Sequence, residues 1–394
     1  MNPTGLFHLT AAYVRANLWR TLLLILTVAL TFFLPLAFQT LTTQSQELLN
    51  NRAESTPLII GPKGSSTDLT LTSLYFTPNT LPPLKHQTLS QLRDSNKATF
   101  LPLHLRFHAN GAPIVGTNLN YLKFRNLNFS EGHAFTTLGE CVLGSKVAQK
   151  RKLKVGDSII SSPENLFDLA GAYPLKLKIR GILEPSHTPD DSAVFVDLKT
   201  AWIIEGLAHG HQDLAEPSQK DNILRKEGAT LRANAALTNF NEITPSNIDS
   251  FHFHGDFDDF PLSAIIAQPQ SKKEHDILIG RFLDPDNLNQ IVIPSESISR
   301  LSETLFATRT LVTLGLSLLA LCSLLLLALV LNLSLRLRER EFTTYARIGA
   351  DKITVLFLKL GELFFVVTIA ATIAALGILA ANSLSESFLQ ILLN

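Results

Sequence analysis

Three long runs of apolar residues interrupt an otherwise mixed sequence, at residues 21–41, 310–335 and 353–381. Each run is longer than the roughly 20 residues that a helix needs to cross a hydrocarbon core about 30 Å thick. The pattern predicts an integral membrane α-helical protein with three transmembrane helices. Pro35 lies inside the first run, and we expect it to kink that helix.

The first run could instead be a secretory signal, because Arg15 and Arg20 precede it as a positively charged region would. The run is longer than the usual signal core of roughly 7 to 15 residues, and no small-x-small cleavage site follows it. We therefore favour an uncleaved transmembrane helix.

Basic residues beside the apolar runs predict which side faces the cytoplasm, because short flanks rich in lysine and arginine stay inside. This rule places residues 1–20 and 336–352 in the cytoplasm, residues 42–309 on the outer side, and the tail 382–394 outside as well. We expect a multi-pass protein of the bacterial inner membrane with a large periplasmic domain.

The outer region has the pattern of a large mixed α/β domain between the first and second spans. Helical periodicity predicts helices at residues 84–95, 144–153 and 220–236. Two helical stalks are also predicted, one extending the first span through Leu49 and one running from Pro294 into the second span without a breaker. Short apolar runs between turn residues predict strands at residues 57–64, 111–117, 140–144, 156–161, 175–183, 192–198, 262–268 and 290–294.

Composition narrows the function classes. The chain has 34 basic and 34 acidic residues, and this balance gives no overall attraction to nucleic acid. The two cysteines, Cys141 in the outer region and Cys322 inside a span, cannot pair within one chain. We interpret Cys141 as a small buried hydrophobic residue.

The sequence contains no phosphate loop of the form G-x-x-x-x-G-K-[ST], no G-x-S-x-G elbow and no H-E-x-x-H pair. We therefore expect no enzyme activity in this chain and no ATP hydrolysis by it alone. Two groups of acids could serve acid/base chemistry, but the sequence shows no partner for either group. We interpret them as solvated turn residues: Asp190 and Asp191 in one group, and Asp256, Asp258 and Asp259 in the other.

Two His-x-His pairs, His209 with His211 and His252 with His254, are the one suggestive cluster of metal ligands. Alternate residues of a strand face the same side, so each pair could offer two imidazoles to a borderline ion such as zinc. The other interpretation is that these histidines lie on polar strand edges or loops. We favour that second interpretation, because paired surface histidines are common.

The charged bridge "LRLREREFTTYARIGADKITVLFLKLGE", residues 335–362, connects the second and third apolar runs. It resembles the corresponding stretch of FtsX/MacB-type ABC transporter permeases, in which an R-x-R-E-x-E-like run precedes a short helix ending in "iGA" and a membrane helix with an early glutamate. The matching positions in this sequence are Arg338, Glu339, Arg340 and Glu341, then Ile348, Gly349 and Ala350, then Glu362.

The outer region carries the same resemblance. "GECVLGSKVAQKRKLKVGDSII", followed by "LKIRGILEPSHTPDDSAVFVDL", is similar to the core of the MacB-like periplasmic domain. "LIIGPKGSSTDLTLTSLYF" resembles the beginning of that domain in lipoprotein-release-type permeases. The resemblance covers most of the chain.

The resemblance implies a permease subunit that dimerises, binds separate ABC ATP-binding subunits, and drives export or extraction of a lipoprotein, lipid, peptide or small molecule by mechanotransmission. ATP would act through the partner subunit, with no cofactor bound directly. Residues 336–352, the coupling segment, would dock on that subunit, with Arg338, Arg340 and Arg347 as polar contacts and Tyr345 and Ile348 as apolar anchors. The alternative is that these charges only keep the segment on the cytoplasmic side of the membrane. That role would not require the interleaved glutamates.

Two other functions stay open. An FtsX-like regulator would control an envelope hydrolase, through a periplasmic partner protein, without transporting anything. The third possible function is a metal-linked envelope module, which would apply if the histidine pairs bind a metal ion.

Two positions near the end of the chain carry further expectations. Glu362 is a candidate functional acid inside the third span, although pairing with Lys359 one turn away would explain it structurally. Permeases of this family usually have a fourth membrane helix, whereas the residues after Ala381 are too few to span. Either these residues remain outside, or the fourth helix is supplied or dispensed with in assembly.

Overall fold

The computed structural model describes residues 12, 15–78, 80–94, 97–162, 174–210, 223–227, 230–233, 241–306, 309–349 and 351–383. The chain divides into two compact units. One unit comprises residues 1–49 and 300–394, and the other, the outer unit, is Asn50–Ser299.

The first unit contains the membrane helices. Helix α1 spans Leu18–Glu54 with Pro35 inside it. Among the described residues, three helices are long and apolar enough to cross a membrane, with windows in Leu18–Glu54, Arg309–Val330 and Leu363–Asn382. The three predicted spans are thereby confirmed. Helix α1 also continues outward past Leu49, as the apolar spacing predicts.

The membrane helices pack through small and apolar side chains. Val28 and Ala29 of the first helix share a buried cluster with Val366 and Ala370 of the last. A Cβ atom at Gly377 would lie 2.8 Å from the ring of Phe33, so the glycine allows close approach of the two helices.

Shorter helices of the outer unit and the remaining membrane helices come after α1 along the chain. They are α2 (Ser66–Tyr75), α3 (His86–Arg93), α4 (Leu119–Phe124), α5 (Ser145–Arg151), α6 (Leu198–Ile204), α7 (Lys272–Arg281), α8 (Pro294–Phe306), α9 (Arg309–Leu337), α10 (Glu339–Arg347) and α11 (Lys352–Ser383).

The strands in the described part of the chain all belong to the outer unit. They are β1 (Leu58–Pro62), β2 (Leu84–Lys85), β3 (Ala98–Leu103), β4 (His108–Ala109), β5 (Ala112–Thr117), β6 (Phe129–Gly132), β7 (Glu140–Leu143), β8 (Ser158–Ser162), β9 (Leu175–Leu183), β10 (Val194–Asp197), β11 (Ala208–Gly210), β12 (Ile223–Glu227), β13 (Thr230–Ala233), β14 (Asn241–Glu242), β15 (Phe251–Phe253), β16 (Pro261–Leu262), β17 (Ala264–Pro269) and β18 (Asn289–Val292).

The outer unit contains two main sheets. An antiparallel sheet has the strand order β18-β1-β17-β3, and a mixed sheet has the order β14-β9-β7-β10-β5-β4-β8 with β6 on β9. Strand β8 pairs with both β4 and β9, so six strands of the mixed sheet close into a ring. Each sheet has its own buried apolar core. The core of the mixed sheet contains Cys141 and Ile179, and the core of the antiparallel sheet contains Ile60 and Trp202.

Side-chain caps begin several outer helices where the sequence places a small polar residue. The Ser65 hydroxyl accepts from Asp68 N–H at 3.1 Å, and the Asn118 amide oxygen accepts from Tyr121 N–H at 3.3 Å. These contacts satisfy N–H groups that an uncapped first turn would leave unpaired.

One predicted helix, at residues 220–236, is wrong. Strands β12 and β13 instead form an antiparallel hairpin in which Glu227 pairs with Thr230. The sequence has a glycine at position 228, and glycine's poor helix propensity weakens the case for a helix across residues 220–236.

The second predicted stalk is helical, as α8 (Pro294–Phe306), and Ile298 in it is buried. The uninterrupted connection to the second span stays a prediction, because residues 307 and 308 lie outside the described part of the chain.

Candidate functional site

The coupling segment forms a short helix, α10, between the second and third membrane helices. The helix is nine residues long and begins directly after Arg338. Two hydroxyls bond back within it: Thr343 Oγ1 donates to the Glu339 carbonyl at 2.7 Å, and Thr344 Oγ1 donates to the Arg340 carbonyl at 2.9 Å. The segment is therefore a folded element rather than an extended linker.

Helix α10 has one buried and one charged side. Phe342 is only 4% exposed, and the guanidinium carbon of Arg338 lies 4.9 Å from the centre of its ring. Arg340 and Arg347 are exposed, and Ile348, just beyond the helix, is 79% exposed. The exposed side of this segment therefore presents both charged and apolar side chains to its surroundings.

Gly349 ends this element. Its φ angle is +99°, a conformation that L-residues with side chains rarely adopt, and its N–H donates to the Ala346 carbonyl at 3.2 Å. Gly349 therefore takes a positive-φ conformation that favours glycine where the chain leaves the short helix. Ala350 and the side chains of Glu341 and Tyr345 lie outside what the structure describes.

Glu362 lies in α11, one residue before the apolar window Leu363–Asn382. Its side chain, like that of Lys359, lies outside what the structure describes. A functional role for Glu362 stays a prediction.

A buried ion pair in the outer unit is the main feature that sequence reasoning missed. Arg52, in the last turn of α1, binds Asp190 through two contacts, Nη1 to Oδ2 at 2.6 Å and Nη2 to Oδ1 at 3.0 Å. Their side chains are 5% and 1% exposed. Tyr121 Oη donates to Asp190 Oδ1 at 2.9 Å, and Arg52 Nε donates to the Leu74 carbonyl at 2.9 Å.

Burial and the neighbouring charges together set the pKa values of Asp190 and Tyr121. Burial alone would raise the pKa of Asp190, but the attraction of Arg52 and its hydrogen bonds outweigh burial and hold that pKa below its ordinary value. Burial, with the negative charge of Asp190, raises the pKa of Tyr121 to about 12. The pair is therefore ionised and the phenol protonated at neutral pH.

The prediction that Asp190 and Asp191 are solvated turn residues is wrong, since both are 1% exposed. Asp191 accepts from Ser186 N–H and His187 N–H, each at 2.8 Å. The prediction failed because the partners of Asp190, Arg52 and Tyr121, lie far away in sequence. The exposed Asp256 and Asp259 fit the solvated interpretation.

Three of the four predicted histidines come together on the outer unit. One ring nitrogen from each of His209, His252 and His254 lies within 4.8 Å of the others. His211, the fourth, lies outside the described residues.

A family model described as the MacB-like periplasmic core domain matches residues 21–235, more than half of the chain. The chain belongs to this MacB-like family. It is accordingly a MacB/FtsX-type ABC permease, from a family that works with an ATP-binding subunit, and it is a membrane protein with an extracellular domain.

Solved structures with similarity to this MacB-like chain include the extracellular domain of the noncanonic ABC-type transporter YknZ from Gram-positive bacteria. It is 12% identical, covers 60% of this chain and 98% of its own, and has a TM-score of 0.32. The periplasmic region of MacB from Actinobacillus actinomycetemcomitans is 10% identical, covers 65% of this chain and 97% of its own, and has a TM-score of 0.36. No curated protein matches the chain.

The range matched by the MacB-like family includes the whole buried group of Arg52, Tyr121 and Asp190. It ends before β15, so His252 and His254 lie outside it. The histidine cluster is thus assembled partly from chain that the family model does not cover.

Proposed function

We propose that this permease works by mechanotransmission. A separate ATP-binding subunit moves the coupling segment, and the membrane helices carry that motion to the outer domain. In this scheme the cargo is handled on the outer side of the membrane and need not pass through the permease. Lipoproteins, lipids, peptides and small molecules are all compatible cargo classes.

The observation that carries the proposal is the form of the coupling segment. One residue, Arg338, separates α9 from α10, and four residues, 348–351, separate α10 from α11. A helix tethered this closely at both ends cannot swing independently, so a force on it reaches both membrane helices. The exposed Ile348 and Arg340 supply the surface on which a partner would exert that force.

The assembly that we propose contains two copies of this chain and two ATP-binding subunits in the bacterial inner membrane, with a periplasmic partner protein where the cargo requires one. ATP binding and hydrolysis belong to the partner subunits, since the sequence lacks a phosphate loop of its own. The permease itself then acts without enzyme activity.

The proposal is tested by co-purifying the full chain with its candidate ATP-binding subunit. Arg338→Gln with Arg340→Gln removes two charges from the docking surface, while Arg336, Arg347 and Lys352 still mark the cytoplasmic side. If the partner's matching charges are left buried and unpaired, the loss should be about 2–5 kcal/mol of binding free energy. We expect lower recovery of the ATP-binding subunit and lower ATPase activity in the complex.

The control removes two exposed arginines of the outer domain, Arg93→Gln with Arg281→Gln, which leaves the basic flanks of the membrane helices unchanged. That variant should recover the ATP-binding subunit like the unmodified chain. If the two double variants bind equally well, the coupling segment is only a topological marker and the proposal fails.

A further inference from the structure

The three clustered histidines come from two chain segments about 40 residues apart. Strands β11 and β15 pair antiparallel, with His209 directly opposite His252, and His254 follows β15. The ring centres lie 5.2 Å apart for His209 and His252, and 4.6 Å apart for each of the other two pairs. The fold therefore builds this cluster by long-range pairing.

Strand alternation directs the imidazoles to one face. Phe251 and Phe253 pack against the apolar core, and Ala208 is buried, whereas His209 and His254 are exposed. Successive residues of a strand point to opposite sides, and every second residue points to the same side. The phenylalanines thus hold the strand while the histidines face solvent, where an ion can reach them.

One backbone hydrogen bond positions the main chain of His254, and one backbone carbonyl orients the ring of His252. His254 N–H donates to the Leu207 carbonyl at 3.0 Å. His252 Nδ1 lies 3.1 Å from the Ser250 carbonyl oxygen, which can only accept, so Nδ1 carries the proton and the lone pair lies on Nε2. A carbonyl that orients the far nitrogen of a histidine is the usual support of a metal ligand.

We propose that His209, His252 and His254 form a surface site for a divalent transition-metal ion of the zinc type. Nitrogens around tetrahedral zinc, with bonds of about 2.0–2.1 Å, lie roughly 3.3 Å apart, so nitrogens within 4.8 Å of one another need only small ring rotations to bind. Three imidazoles leave a fourth position for water or for a ligand from a partner. Nitrogen ligands without a nearby thiolate favour zinc, copper(II) or nickel(II) over calcium and magnesium.

The ion would join β11 to β15 and so stabilise the fold of the outer domain in proportion to its concentration. This consequence provides a readout that does not depend on transport. It is also independent of the proposed mechanotransmission, because none of the three ligands lies in the coupling segment.

The test uses the full chain without a polyhistidine tag, in nanodiscs, after treatment with a chelator. Zinc binding is measured by calorimetry, and stability by the thermal unfolding midpoint. We expect one zinc ion per chain and a higher midpoint with zinc. Single changes His252→Ala and His254→Ala should each weaken binding at least about tenfold and remove the zinc-dependent rise in midpoint.

The matched control is His275→Ala, an outer-domain histidine that the structure places beside Asp276 and outside the cluster. It should bind zinc like the unmodified chain. A chain that binds no zinc, cluster variants that bind as well as the unmodified chain, or equal loss in His275→Ala would each overturn the site. His209→Gln provides a third cluster variant with a milder change in volume, so that misfolding of one variant does not decide the result.

Discussion

Arg52 and Asp190 form a two-contact ion pair inside the outer domain, although 137 residues separate them in the chain. Arg52 uses Nε, Nη1 and Nη2 for hydrogen bonds, and Tyr121 Oη completes the group around the carboxylate. The pair anchors the last turn of α1 to the short turn Pro189–Ser192. Any movement of that last turn must therefore carry the turn with it or break the pair.

Arg52→Ala should strongly destabilise the outer domain, because Asp190 would keep its burial and lose its counter-charge. Removing one partner of a buried pair typically costs about 3–5 kcal/mol. The control is Lys85→Ala, which removes the exposed pair between Lys85 and Asp259, whose side chains are 65% and 68% exposed. That change should leave stability nearly unaltered.

Tryptophan fluorescence during urea unfolding measures both variants. The chain has two tryptophans, Trp19 at 77% exposure and Trp202 at 2% exposure in the outer core. In a Trp19→Phe background, Trp202 alone reports the outer domain. Equal unfolding free energies for Arg52→Ala and Lys85→Ala would show that the buried pair stabilises the outer domain no more than the exposed pair does.

Acid should destabilise the outer domain through Glu140 in a definite pH window. Burial alone would raise the pKa of Glu140, but hydrogen bonds from Thr136, Thr137 and Arg180 lower it from 4.5 to about 2. A carboxyl with a depressed folded pKa stabilises above its unfolded pKa, and this stabilisation is lost as pH falls toward the folded value. The loss should therefore occur between about pH 4.5 and pH 2.

The same Trp202 fluorescence, recorded as urea unfolding at several pH values, checks this window. Glu140→Gln should be less stable at neutral pH and should show a flatter pH dependence below pH 4.5. Asp190 contributes with the same sign, so some slope should remain. An unchanged slope in Glu140→Gln would rule out its contribution.

Topology can be tested with single cysteines at two exposed positions, Ile348 at 79% exposure and Leu288 at 84% exposure. The exposed Cys322 is first replaced by serine, and the buried Cys141 is kept. In intact spheroplasts, a membrane-impermeant maleimide should label Leu288→Cys and should label Ile348→Cys only after the membrane is opened. Labelling of both in intact spheroplasts would contradict the cytoplasmic placement of the coupling segment.

Local patterns were sufficient for much of the fold. The three spans follow from run length, and strands such as β9 follow from alternating side chains that the structure buries alternately. The hairpin of β12 and β13 was missed because a short segment with both an apolar stripe and a glycine supports two interpretations, and pairing across the hairpin decides between them.

Sites built from distant residues were predictable only in part. The His252-x-His254 spacing was visible in the sequence, but its partner His209 depends on the register of β11 with β15. The burial of Asp190 depends on Arg52 and Tyr121, and nothing near Asp190 in sequence signals either residue. The coupling segment was recognisable because all its parts are contiguous.

Gly349 gives the sharpest variant for the central claim. Nothing lies within 4 Å of a Cβ built there, so valine would fit the space but would strain the backbone at φ +99°. Gly349→Val should redirect the chain between α10 and α11, leaving the docking surface intact. Gly315→Val is the control, since a Cβ at that helical glycine also meets nothing within 4 Å and its φ is not positive.

The decisive measurement is the distance between spin labels at Leu288→Cys in the two copies of a dimer, in nanodiscs with the ATP-binding subunit, with and without ATP under non-hydrolysing conditions. The chain with an unmodified coupling segment and the Gly315→Val variant should both show a distance distribution that shifts when ATP binds. Gly349→Val should still bind the ATP-binding subunit but show no shift. An ATP-dependent shift in Gly349→Val equal to that of the unmodified chain, or no shift in any of the three, would contradict mechanotransmission through the coupling segment.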